Sequence, residues 1–190
     1  ISGIGDSEKI KNQGIDIVHE LKGVGENLQD HLMFRPVYKL KNIKSLNRDV
    51  ESLYSKFLMG LQYILKQSGP ITMGASQVCA FTKSDPSRAT PNLQFHVQPL
   101  STDILGVTPM HNFEGITPTV ANIRPTSRGE INITSNDSRD NPKIKMNYLS
   151  TEDDRIVAAK SLKLVRKIML ETETFKKYQP EEYRPGVHIT

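Results

Sequence analysis

A succession of short strand-like runs between two long amphipathic helices is the feature that most limits how this chain can fold. Turn-forming segments rich in Pro, Gly, Asn, Asp and Ser separate the runs, and no helical pattern lies between them. Consecutive strands joined by short turns form antiparallel sheets, because parallel strands need long crossover connections. The runs cover residues 76–82, 93–98, 119–124, 130–134 and 143–149. The sequence therefore predicts an α+β fold, a mostly antiparallel sheet with helices packed on one face.

Two helices flank these runs. Over residues 49–68 apolar side chains recur at steps of three and four, the one-face period of an amphipathic helix, and Gly69-Pro70 ends the pattern. The second helix begins near Ser150, where hydroxyl residues precede the acidic residues 152–154 that suit the positive end of a helix dipole. A short helix over residues 6–13 and strands over 15–18 and 33–40 complete the predicted elements.

Composition excludes several classes of protein. The 190 residues are 36% hydrophobic, which is enough for a packed core. The single cysteine, Cys79, rules out an intrachain disulfide and a cysteine-based metal site, and no apolar run reaches the roughly 20 residues of a membrane span. The net charge of +4 is spread along the chain. We expect no metal and no nucleic acid as ligands, and a cytoplasmic or peripherally membrane-associated protein.

Three segments resemble the glucose-methanol-choline (GMC) family of FAD-dependent oxidoreductases. Ser2-Gly3-Ile4-Gly5 matches the end of one family signature, and residues 124–131 are similar to the family's Pro-x-Ser-Arg-Gly turn and the strand after it. The loop over residues 23–31, Gly-Val-Gly-Glu-Asn-Leu-Gln-Asp-His, matches a family segment at every fixed position. Within the family the chain is most similar to choline dehydrogenase-like and alcohol dehydrogenase-like members.

The resemblance implies that the chain is an internal part of a longer enzyme. Residues 1–31 correspond to a remnant of the FAD-binding domain with its cofactor-proximal loop, and residues 32–190 to the substrate-binding domain with a C-terminal tail. The Gly-x-Gly-x-x-Gly motif that lets a backbone approach a pyrophosphate does not occur in the 190 residues, and neither does the family stretch that carries the catalytic His. We therefore assign no catalytic residue here. The chain alone is expected to be inactive, to bind no FAD and to self-associate through surface that its missing neighbours would cover.

Four polar side chains are candidate contacts for FAD or substrate. The resemblance implies that the loop lies close to FAD, with Asn27 and His31 as cofactor-binding residues. In the run 93–98 the strand period sends the apolar residues to one face and the polar residues to the other. The resemblance implies that this polar face looks toward the flavin, which makes His96 and Gln98 substrate contacts. The alternative for these two is an ordinary solvent-exposed face.

Gln77 bears on which alcohol is oxidised. Choline-handling members of the family carry a glutamate on the corresponding strand, and counting back from Phe81 places Gln77 at that position. A neutral amide does not neutralise a buried trimethylammonium group, and an unpaired buried cation is costly. The resemblance thus implies oxidation of a primary alcohol to the aldehyde by hydride transfer to FAD. We expect an uncharged aliphatic alcohol to suit the site better than choline.

An autonomous, non-catalytic binding module with a basic surface is the alternative function. Its candidate residues are Lys143, Lys145, Lys160, Lys163, Arg166 and Lys167. No aromatic residues interleave with these charges, as a stacking platform for nucleic acid would need. A solvated helix face is therefore the favoured interpretation of the basic residues.

Overall fold

The computed structural model describes residues 1–74 and 76–189, which form two compact units. The first unit contains Ile1–Leu32 and Ile123–Val157, and the second contains Met33–Asn122 and the residues from Ala158 onward. The strands are β1 (Ile4–Gly5), β2 (His19–Glu20), β3 (Met33–Phe34), β4 (Val37–Lys39), β5 (Val78–Thr82), β6 (Leu93–Gln98), β7 (Gly115–Asn122), β8 (Glu130–Asn132), β9 (Lys143–Lys145) and β10 (Glu181–Arg184). The helices are α1 (Ser7–Lys11), α2 (Leu46–Asp49), α3 (Leu53–Lys66), α4 (Glu152–Arg166) and α5 (Glu173–Lys176).

A six-stranded antiparallel sheet organises the second unit. Its strands follow the order β10-β4-β7-β6-β5, and β3 also pairs with β7. One face of β5 and β6 lies opposite the C-terminal half of α4 and the π-helical turn Lys167–Glu171, with an apolar cavity of about 370 Å³ between them. The predicted α+β class, with its mostly antiparallel sheet, is confirmed.

The core of this unit combines apolar packing with one buried ion pair. Leu93, Val120 and Val165 are fully buried, and each such side chain contributes roughly 1.5 to 3 kcal/mol through its removal from water. Beside them Arg166 donates two hydrogen bonds, each of 2.9 Å, to the carboxylate of Glu182. The same carboxylate accepts a 3.4 Å hydrogen bond from Tyr38, whose pKa is raised by burial and by the negative charge of Glu182. Residues of α4, β4 and β10 are thus joined in one polar cluster.

Two small strand pairs and a capped helix form the first unit. β1 pairs with β2 in parallel, and β8 pairs with β9 in an antiparallel hairpin. Asp6 caps α1 by accepting hydrogen bonds from the backbone N–H groups of Glu8 and Lys9. Leu28 and Gly129 exchange two backbone hydrogen bonds, which fix the loop of residues 23–31 against the segment that leads into β8.

Element bounds differ from the sequence prediction where backbone chemistry intervenes. The strand predicted over 33–40 is divided at Arg35-Pro36, since proline lacks an N–H group for the ladder. The predicted helix over 49–68 is shorter, because Gln67 adopts a left-handed conformation after Lys66. The strand β7 begins at Gly115, earlier than the predicted 119–124, and the strand predicted over 143–149 ends at Lys145. Strand β10 and helix α5 have no counterpart in the sequence prediction.

The apolar stripe of α3 lies largely on the surface of the described chain. Leu53 is 83% exposed, Phe57 66% and Ile64 75%. The period of three and four therefore predicted the helix and its apolar side correctly. No residue of α3 is buried by the other described residues.

Candidate functional site

The polar face of the sheet brings two of the candidate residues together. Cys79 pairs with His96, and side chains two apart on a strand share a face. His96 and Gln98 therefore both project from the side opposite α4.

Gln77 lies just before β5, outside the paired strand. Its backbone N–H donates a 3.0 Å hydrogen bond to the carbonyl of Val97, the residue that pairs with Val78. Its side-chain Nε2 donates a 2.6 Å hydrogen bond to Sδ of Met73. The strand register therefore does not assign Gln77 to the polar face.

Arg35 joins this face from the other side of β7. Its Nη2 donates a 3.0 Å hydrogen bond to Oε1 of Gln98, which is 7% exposed. The pairs Phe34–Val120 and Tyr38–Ile116 keep a single register, which places Arg35 across from Thr119. Thr119 in turn pairs with His96 on β6. Arg35, Thr119 and His96 therefore form one row across three strands, and no local pattern in the sequence indicates that row.

A polar loop network supports the end of this face. Asn47 is fully buried, and its Nδ2 donates hydrogen bonds to Oγ of Ser101 and to the carbonyls of His111 and Phe113. Its Oδ1 accepts a 2.8 Å hydrogen bond from the backbone N–H of Ser101. One amide side chain thus fixes both ends of the loop, residues 99–114, that joins β6 to β7. Because all of its hydrogen-bonding groups have partners, Asn47 is a positioning residue.

The glycine-rich loop is held by the first unit. Gly25 has a φ of 83°, and a Cβ there would lie 2.2 Å from the carbonyl oxygen of Ile131, so only glycine fits. Asn27, with a φ of 57°, and His31 both have exposed side chains. Asn27 borders a polar cleft of about 240 Å³ that is also lined by Glu26, Arg128, Gly129, Glu130, Lys145 and Asn147.

The end of this loop is fastened by Asp30. Its carboxylate accepts a hydrogen bond from the hydroxyl of Tyr148, and this bond, with a second from the backbone N–H of His31, holds the pKa of Asp30 below its ordinary value. The same bond raises the pKa of Tyr148. Asp30 therefore has a structural role that leaves the ring of His31 at the surface.

The Thr126-Ser127-Arg128-Gly129 turn is built around the carboxylate of Asp154. That carboxylate accepts 2.9 and 2.8 Å hydrogen bonds from the backbone N–H groups of Thr126 and Ser127. Ser127 Oγ accepts hydrogen bonds from the N–H groups of Ser150 and Thr151, just before α4. Burial raises the pKa of Asp154, but these hydrogen bonds outweigh it and hold the pKa below its ordinary value. The family-like turn is thus a structural anchor.

Replacing Asp154 with Asn should destabilise the fold by about 1 to 2 kcal/mol at neutral pH, because the charged acceptor of several hydrogen bonds is lost. A carboxyl whose folded pKa is depressed stabilises the fold above its unfolded pKa and loses this contribution as pH falls through the folded value. The gap between wild type and Asp154→Asn should therefore close as the pH falls below about 4.

Urea denaturation at neutral and acidic pH measures this gap. The control is Glu152→Gln, an exposed carboxylate in the same helical turn. A pH-independent gap would show that the charge of Asp154 is not what stabilises the turn.

The basic residues considered for a polyanion site are partly neutralised. Arg166 is bound to Glu182, Lys160 to Asp85 and Lys145 to Glu130. Three of the six candidate charges thus have carboxylate partners. In the described part of the chain, no group of three or more His, Cys, Asp or Glu side chains is arranged to hold a metal ion. None of the helices in residues 1–74 and 76–189 has the length and apolar character needed to span a membrane.

Solved structures that share this fold are oxidases. Over 96% of this chain and 36% of its own length, formate oxidase superposes with a TM-score of 0.84 at 21% sequence identity. Pyridoxine 4-oxidase from Mesorbium loti superposes over 99% of this chain and 33% of its own length, with a TM-score of 0.74 at 20% identity. These likenesses show that the chain shares the fold of about a third of each of these two proteins.

Sequence comparison narrows the class to one family. Residues 125–188 match the family model described as GMC oxidoreductase. An oxygen-dependent choline dehydrogenase of Photobacterium profundum is 36% identical over 190 residues, which cover 100% of this chain and 33% of that protein. A second, from Chromohalobacter salexigens, is 34% identical over 99% of this chain and 33% of its own length. The chain is therefore similar to GMC oxidoreductases, and it spans about a third of the length of these curated relatives.

Proposed function

We propose that the full-length protein is an FAD-dependent oxidoreductase that oxidises a primary alcohol to the aldehyde, and that this chain carries its substrate-binding face. The observation that carries the proposal is the polar side of the sheet, where His96 and Gln98 lie together while α4 covers the opposite side. Proteins at 32 to 36% identity named choline dehydrogenases support the reaction class. In this proposal, residues 1–31 belong to the FAD-binding domain and residues 32–190 to the substrate-binding domain, as the family resemblance implies. The compact units of the structure follow a different division, because residues 123–157 pack with the N-terminal residues.

The residues present fit one edge of FAD. The left-handed backbone of Gly25 and Asn27 and the exposed side chains of Asn27 and His31 leave this loop open for a ligand to approach. The adjoining cleft, at about 240 Å³, is too small for a whole dinucleotide, so segments beyond these 190 residues would hold the rest. Bound FAD supplies the hydride acceptor. Asn27 and His31 are proposed to position it.

The polar sheet face is proposed to orient the alcohol and to exclude water from it. His96 and Gln98 offer one imidazole and one amide on a rigid strand, and Gln98 is fixed by Arg35. Rigid placement of polar groups is what lowers the entropic cost of alignment before hydride transfer. The base that takes the hydroxyl proton is expected outside this chain. On β5, β6 and β7 the residues assigned to this face by register include no carboxylate to hold a quaternary ammonium group, which disfavours choline as the substrate.

Reduction of the flavin by an alcohol tests the proposal. The full-length protein, loaded with FAD and kept anaerobic, should lose its oxidised-flavin absorbance when a primary alcohol is added. The variant His96→Ala should raise KM about tenfold with unchanged FAD content, since one hydrogen bond to substrate is removed. The control is Gln94→Ala. Gln94 lies on the same face of β6 but is two residues further from Gln98 than His96 is. No flavin reduction by any alcohol would overturn the proposed function.

The isolated 190-residue chain should bind no FAD. The Gly-rich turn and helix N-terminus that hold a pyrophosphate are not among its residues, so the cofactor would lose most of its contacts. Equilibrium dialysis against FAD checks this, with the full-length protein as the positive control. Stoichiometric flavin bound to the isolated chain would contradict the expectation.

A further inference from the structure

Arg35 is a positive charge with no carboxylate partner in the described part of the chain. The structure gives its guanidinium one hydrogen-bond partner, the amide oxygen of Gln98, and no carboxylate within ion-pair distance among residues 1–74 and 76–189. Its neighbours on the face, by register, are Thr117, Thr119, His96 and Gln98. None of these is acidic. An arginine has five donors in a fixed fork, so a single amide oxygen leaves most of them available to a ligand.

A second observation lies in the same row. Thr119 is 3% exposed, and its Oγ1 is the buried side-chain atom without a hydrogen-bond partner in the described residues. A buried hydroxyl left unpaired costs free energy, so such groups mark places where an oxygen or nitrogen atom of a ligand completes the structure. Thr119 pairs with His96 and lies across from Arg35. An unpaired hydroxyl and an arginine with spare donors thus stand side by side.

We propose that Arg35, Gln98 and Thr119 form a subsite for a carboxylate, and that the substrate is a primary alcohol that carries a carboxylate at its other end. The proposal rests on the proposed function, which it refines from an uncharged alcohol to an anionic one. Planar guanidinium groups bind carboxylates through two parallel hydrogen bonds, a geometry that an amide or an ester oxygen does not reproduce.

The position of the subsite also fits the rest of the face. His96 lies beyond Thr119 toward the edge strand β5, which leaves it for the hydroxyl-bearing part of the molecule. Arg35 would hold the carboxylate and repel a cationic group such as a trimethylammonium. Arg35 would therefore strengthen the expected preference against choline, which would be weaker with the neutral side chain of Gln77 alone.

A matched pair of substrates tests the proposal in the FAD-loaded full-length enzyme. 4-Hydroxybutyrate and its amide, 4-hydroxybutanamide, have the same shape and differ in one negative charge. Wild type should favour the carboxylate by about tenfold to a hundredfold in kcat/KM, since hydrogen bonds to charged groups are the stronger ones. Arg35→Gln should bring the ratio near one, and Arg35→Lys should retain part of it. Arg139→Gln, which removes an equally positive but 87% exposed side chain, should leave the ratio unchanged.

Binding without turnover separates the subsite from the chemistry. Butyrate, which has the carboxylate but no hydroxyl, should inhibit wild type competitively and inhibit Arg35→Gln at least tenfold more weakly. Oxidation of 4-hydroxybutanamide at least as efficient as that of the carboxylate would overturn the subsite while leaving the proposed function in place. Failure of both alcohols to reduce the flavin would instead overturn the proposed function. Equal inhibition of wild type and Arg35→Gln by butyrate would place Arg35 outside the pocket.

Discussion

Replacing Glu182 with Ala should lower the free energy of unfolding by about 3 to 5 kcal/mol, the largest loss expected from a single substitution in this chain. The carboxylate of Glu182 is fully buried and accepts two hydrogen bonds from Arg166, whose own side chain is 22% exposed. Without Glu182 the guanidinium is left partly desolvated with no counter-charge, and the hydroxyl of Tyr38 loses its acceptor. Urea denaturation followed by far-UV circular dichroism measures the loss.

The neighbouring residue provides a matched control. Glu181 also forms an ion pair, with Lys39 at 3.4 Å, but its side chain is 65% exposed. Exposed pairs contribute little, so Glu181→Ala should cost no more than about 0.5 kcal/mol. Equal losses in the two variants would show that the buried pair contributes nothing beyond an ordinary surface charge.

The contrast between Glu181 and Glu182 shows where prediction from sequence stops. Two consecutive glutamates in a strand project to opposite faces, so one of them lies on the core side whatever the register. Which one is buried depends on the pairing of Glu182 with Tyr38 and on Arg166 arriving from a helix. The residues around position 181 contain no pattern that indicates either contact. The sequence therefore offered no reason to expect strand β10 or its ion pair.

The candidate site also contains residues that the sequence predicted and one residue that it did not. Strand periodicity assigned His96 and Gln98 to one face, whereas Gln77 lies just before β5, outside the register of the sheet. Arg35 was missed because it is more than 60 residues away from Gln98 along the chain, and only the register of β3, β4, β6 and β7 brings the two together. Local patterns report which side of a strand a residue occupies. They do not report which strands are neighbours.

Helix α3 illustrates a further limit. Its period of three and four predicted the helix, and capping by Ser52 and the left-handed Gln67 set its ends. The same period is normally taken to mean burial, yet Leu53, Phe57 and Ile64 are exposed in this chain. An amphipathic pattern specifies an apolar side and leaves open what that side packs against.

Replacing Gln77 with Glu should raise the ratio of choline to neutral-alcohol turnover by about tenfold to a hundredfold in kcat/KM of the full-length enzyme. By the resemblance, Gln77 stands where choline-handling relatives carry a carboxylate, and it directly precedes β5, the strand that pairs with β6. A carboxylate there would supply the counter-charge that a desolvated trimethylammonium needs. The ratio is the quantity to measure, because loss of stability or of flavin lowers both rates together.

Arg35 sets the size of that change. Gln98 holds the guanidinium of Arg35 and is one residue from Val97, whose carbonyl accepts a hydrogen bond from Gln77, so a glutamate at position 77 and a bound cation would both feel the positive charge of Arg35. The double variant Arg35→Gln with Gln77→Glu should therefore favour choline more than Gln77→Glu alone does. Gln94→Glu, two residues from His96 on the same face, is the control and should leave the ratio near the wild-type value. If neither the single nor the double variant moves the ratio, Gln77 lies outside the pocket, whereas a shift in the double variant alone would identify Arg35 as the residue that excludes cations.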